Sequence, residues 1–99
     1  MGVVIGWLHF KPGTRDAFIA RVQPLVEKIR AEEGNIFFEL NPRVGQPDTA
    51  MLTECFKDDA AHRAHKLLPH MTEMFAALGE VVTAGDVKVH FADELFDDD

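Results

Sequence analysis

Ninety-nine residues make one domain with no room for a second core, and a 46% apolar share is that of a globular chain. The formal charge of −7 repels phosphate backbones and speaks against nucleic acid as a partner. No apolar run approaches the ~20 residues of a membrane span, and Cys55, the only cysteine, rules out an internal disulfide.

An N-terminus without a basic n-region, together with a lone thiol, predicts a cytoplasmic protein. Residues 3–10 are apolar almost throughout, which predicts a strand covered on both faces. Lys11-Pro12-Gly13 ends it, and Thr14 is placed to cap a helix with Asp16 in its first turn. Phe18, Ile19, Val22, Leu25, Val26 and Ile29 then recur at steps of three and four. This predicts a single amphipathic helix, bent at Pro24 and ended by Gly34.

Residues 36–40 read as a second strand with Ile36, Phe38 and Leu40 on one face, and residues 41–48 are the most loop-like stretch. From 50 to 56, Ala50, Leu52, Glu54 and Phe56 alternate with Met51, Thr53 and Cys55 in a third strand. Residues 60–68 are helical in composition, opened by Asp58-Asp59 and interrupted by Pro69. A second helical piece carries Met71, Met74, Phe75 and Leu78 and ends near Gly79. Residues 86–91 close the series as a fourth strand.

The order is β-α-β-β-α-β with a broken second helix, which predicts an α+β, ferredoxin-like antiparallel sheet. Two right-handed crossovers place the first and third strands side by side in its centre. Helices cover one face, and the apolar first strand demands a second sheet on the other, so a homodimer is expected. The domain is expected to span 1–93, with an acidic, solvated tail at 94–99.

His65 and His70 are the candidate acid–base residues, since imidazole titrates near neutral pH. Asn35 opens the second strand, and Glu54 on the third is a candidate substrate-binding residue. Trp7, Phe38, Phe56 and Met74 are the residues able to wall an apolar pocket for a small-molecule substrate. His62 shares a helix face with His65 at i, i+3 but has Asp59 and Lys66 as neighbours, which predicts that it faces water. The histidine spacing matches no zinc finger, ribbon or protease signature, so no metal is assigned. No phosphate loop, nucleophile elbow or dinucleotide fingerprint is present.

Four segments, taken together, carry a resemblance. They are Phe10-Lys11-Pro12-Gly13, Ala31-Glu32-Glu33-Gly34-Asn35, Leu52-Thr53-Glu54-Cys55-Phe56-Lys57-Asp58 and Ala64-His65-Lys66-Leu67-Leu68-Pro69-His70-Met71. In this order and spacing they resemble the antibiotic biosynthesis monooxygenase family, in particular its small bacterial quinol monooxygenases and its isomerase of a phosphorylated autoinducer. The resemblance implies a dimeric α+β barrel of two ferredoxin-like chains. It also implies a monooxygenase that works without cofactor, deprotonating a quinol, phenol or anthrone that then reacts with oxygen. His65 or His70 would be the base and Asn35 a donor to the developing oxyanion. Gly6 and Phe56 stand where the haem-degrading branch has Asn and Trp, which speaks against haem degradation. The alternatives are an isomerase of a small phosphorylated keto compound and a non-catalytic small-ligand-binding dimer.

Overall fold

The computed structural model describes residues 1–91. Its elements are β1 (Gly2–Phe10), α1 (Arg15–Arg21), α2 (Gln23–Arg30), β2 (Asn35–Pro42), β3 (Thr49–Phe56), α3 (Asp59–His65), α4 (Pro69–Val81) and β4 (Val82–Phe91). All neighbouring strands are antiparallel, in the order β2-β3-β1-β4. The fold is the α+β, ferredoxin-like one that the element order predicts, with β1 and β3 central. The predicted tail at 94–99 lies outside the described residues.

The helices cover one sheet face. Val4 and Leu8 of β1, Phe38 and Leu40 of β2, and Leu52 of β3 point at them. Phe18, Val22, Leu25, Val26 and Ile29 come down from α1 and α2, and Met71, Met74 and Ala77 from α4. Burial of these side chains contributes about 1.5–3 kcal/mol each for the larger ones. By strand alternation the opposite face carries Val3, Ile5, Trp7, Met51, Thr53 and Cys55.

Several local details depart from the periodicity. The expected bent helix is two helices, interrupted at Val22, where φ −90° and ψ 4° leave the helical range. Pro24 has no N–H to give to the Ala20 carbonyl, so it sits instead in the first turn of α2, where a missing donor costs nothing. Ile36 is pushed out by a register shift between Asn35 and Phe37 and is 54% exposed, leaving Phe38 and Leu40 on the inner face. Val81, Val82 and Thr83 carry α4 directly into β4, which pairs with β1 from Val82 onward.

Asp58 caps α3 by accepting from the Ala61 N–H at 2.7 Å. Pro69 forces Leu68 to an extended ψ of 148° and starts α4, so α3 stops at His65, earlier than composition suggests. At the other end of the sheet, Gly13 at φ +78° donates its N–H to Asp48 Oδ1 at 2.9 Å, tying the turn after β1 to the β2–β3 loop. No helix among the described residues is long and apolar enough to cross a membrane.

Candidate active site

Between the sheet and α3–α4 lies a cavity of about 210 Å³. Its walls are mostly aliphatic and aromatic, with Leu8, Phe38, Leu52, Met71 and Met74 among them. Four ionisable side chains interrupt them: Glu54, His62, His65 and Lys66. An apolar chamber with a few convergent polar groups is the usual form of a small-ligand site.

Glu54 is set by β3, whose inner residues alternate Leu52, Glu54, Phe56. Its Oε1 is buried and has no hydrogen-bond partner among the described residues. The nearest counter-group is His65 Nε2 at 3.5 Å, too long for a good hydrogen bond. Removal from water pushes the Glu54 carboxyl up from 4.5 to about 7. The nearby Glu32 charge adds to this and Lys66 opposes it. At neutral pH the group is therefore poised between its protonated and ionised forms.

His65 is buried and touches two carboxylates. Its Nδ1 lies 2.9 Å from both oxygens of Glu32, and its Nε2 faces Glu54. His70, at the start of α4, places Nε2 2.7 Å from Glu32 Oε2. Glu32 thus joins the two predicted histidines. It reaches them because Gly34 packs directly against Ala61, leaving no room for a Cβ, and so the α2–β2 turn lies flat on α3.

The predicted site residues divide accordingly. His65, Glu54, Phe38 and Met74 line the cavity. Phe56 lies beneath it, its ring 4.7 Å from that of His65 and 5.0 Å from that of His62. His70 is behind the wall, connected through Glu32. Asn35 is not at the cavity: its Nδ2 donates to the Phe37 carbonyl at 3.1 Å, bridging the bulge. Trp7 lies on the opposite sheet face, with the Arg43 guanidinium 5.3 Å from its ring centre.

The expectation that His62 faces water is overturned. It is only 5% exposed, lines the cavity and packs on Phe56. The buried side of α3 runs through Ala61, His62 and His65, whereas Ala64 and Leu67 point outward, Leu67 with 83% of its surface exposed. Burial, with Lys66 and His65 nearby, lowers the His62 pKa, against the pull of Asp59. Among the described residues no group of three or more His, Cys, Asp and Glu side chains is arranged to hold a metal ion.

The family model described as "Antibiotic biosynthesis monooxygenase" matches residues 1–77, which contain every ionisable group of this cavity. The chain belongs to the antibiotic biosynthesis monooxygenase family. A Bacillus subtilis (strain 168) relative carrying the name "Putative monooxygenase YcnE" is 34% identical over 84 residues, 85% of this chain and 88% of that protein. Among solved structures, SO0527 from Shewanella oneidensis is 28% identical and superposes with a TM-score of 0.82 over 90% of this chain and 87% of its own. A structure titled "Putative antibiotic biosynthesis monooxygenase from Nitrosomonas europaea" reaches a TM-score of 0.86 over 97% of this chain and 100% of its own; at 21% identity it speaks for the fold alone.

In this family member, residue-by-residue reading misses two site residues. Polar neighbours along the helix assign His62 to solvent. Glu32 looks like one more charge at a helix end, and only its step of 33 residues to His65 in three dimensions gives it a partner.

Proposed function

We propose that the protein is a cofactor-independent monooxygenase that oxidises a small electron-rich aromatic of the quinol, phenol or anthrone type with molecular oxygen. The observation that carries this reading is Glu54 Oε1: buried, without a hydrogen-bond partner among the described residues, and facing an apolar cavity beside His65 Nε2. An unpaired buried oxygen is costly unless a ligand satisfies it, and a hydroxyl donor does so. The volume of about 210 Å³ suits a substrate of one or two rings.

A phenol ionises near 10, so transferring its proton to an ordinary carboxylate is strongly uphill. A carboxyl poised at about 7 removes roughly 3 kcal/mol of that cost. The proton is then held between Glu54 and His65, and the apolar walls keep water from the substrate anion. For a quinol, the substrate is itself the reductant. Quinol plus O2 gives a hydroxyquinone plus water, a four-electron oxidation in which the quinol ring supplies all four electrons that O2 takes up.

An isomerase acting on a phosphorylated keto compound fits the cavity less well. A phosphate group calls for converging cations. Lys66 is the one cationic wall residue among the described residues, and Arg63 is turned outward to Asp59 at 2.9 Å. We also assign the apolar outer sheet face to pairing with a second copy, in a dimeric α+β barrel.

The test is oxygen uptake with a panel of naphthohydroquinones against their autoxidation, for the wild type and Glu54→Gln. Acceleration by the wild type that the variant loses supports the reading. An absence of acceleration across the panel refutes it.

A further inference from the structure

The cavity accounts for Glu54 and for one nitrogen of His65, but not for the carboxylate behind them. The Glu32 side chain is only 10% exposed and lies within hydrogen-bond distance of two imidazoles, His65 Nδ1 at 2.9 Å and His70 Nε2 at 2.7 Å. Its neighbour Glu33 stays on the surface and pairs with Lys57 at 3.0 Å. Burying a carboxylate against partners is seldom a net gain in stability, so a buried one aimed at the rear of an acid–base residue calls for a chemical account.

We propose that Glu32 is the positioning residue of this site. It fixes His65 as the tautomer protonated on Nδ1, turns the Nε2 lone pair to the cavity, and stabilises the imidazolium that forms when the substrate proton resides on Nε2. A carboxylate only accepts, so its contact with Nδ1 requires the proton to be there. His70 donates to Oε2 and keeps the carboxylate from rotating away from His65. The groups facing His65 are Glu32 from the α2–β2 turn, Glu54 from β3 and His62 on α3 itself, with His70 across Glu32. In the step itself one proton leaves the substrate oxygen for the Glu54 carboxylate and passes on to His65 Nε2 beside it. A substrate anion and an imidazolium result, no electron moves, and Glu32 keeps its charge throughout.

The inference rests on the acid–base reading above, and two measurements separate their fates. The first needs no substrate: nitrogen-15 NMR of the imidazole rings in the free protein. The wild type should show His65 as the Nδ1–H tautomer, and Glu32→Gln should show a mixture of tautomers. A wild-type His65 protonated on Nε2 alone overturns the proposal, even if the variant fails to fold. The second is turnover of a naphthohydroquinone by folded Glu32→Gln. Its kcat should fall on the order of 100-fold while KM stays within about 2-fold, because Glu32 touches His65 and not the substrate. An unchanged kcat in the folded variant overturns the positioning role. If the wild type turns over no quinol, the oxygenase reading falls and the tautomer result alone decides whether Glu32 positions His65.

Discussion

Glu54→Gln should raise stability at high pH while abolishing turnover. The folded protein holds the Glu54 proton up to about 7, whereas the unfolded chain releases it near 4.5. Between those values the folded state binds more protons, so wild-type stability falls as pH rises through the interval. At about 1.36 kcal/mol per pKa unit the whole effect is about 3 kcal/mol, of which about 2.5 kcal/mol falls between pH 5 and pH 8. The amide of the Glu54→Gln variant is neutral throughout and escapes this loss. Urea unfolding at fixed protein concentration, followed by the fluorescence of the single Trp7, reads the difference. With an m-value of roughly 1–1.5 kcal/mol/M, the gap between variant and wild-type midpoints should widen by roughly 2 M from pH 5 to pH 8. Midpoints that move in parallel would refute the reasoning, since Glu54 would then ionise as an ordinary surface carboxylate.

Gly34→Ala places a Cβ against Ala61 and should cost about 1–3 kcal/mol by thermal or urea unfolding, with Ala61→Gly in the double variant restoring most of it. Lack of rescue would show that the contact is not the cause. His62→Phe should flatten the acid limb of stability. With its folded pKa below the ordinary 6.5, His62 lets the unfolded state bind a proton that the folded state does not, so wild-type stability drops as pH falls below 6.5. Urea midpoints at pH 6.5 and pH 5 check this, and an equally steep fall in the variant counts against it. Sedimentation at micromolar concentration should show a dimer, and Ile5→Arg on the outer sheet face should give a monomer. A wild-type monomer would remove the pairing.

Features that depend on neighbours along the chain are legible in the amino-acid order alone. Alternation from Ala50 to Phe56 places Glu54 on the same face as Leu52, and the structure keeps it there. Asp58 and Pro69 bound the segment carrying His65, because a side-chain cap and a missing N–H act within one helical turn. Four short segments in the right order are enough to point to the family.

Whatever depends on which face meets what waits for the packed chain. A first strand apolar on both faces carries no sign of which residues meet the helices, and Trp7 lies on the far side. The stripe of α1 and α2 keeps phase through Pro24, but backbone geometry breaks the helix at Val22 all the same. His62 points inward on the same side of α3 as His65, while Gly34 lets the α2–β2 turn close against Ala61. That same contact brings Glu32 to His65 and His70. Side-chain chemistry is written residue by residue, but a hydrogen bond across 33 residues exists only once the backbone has closed the distance.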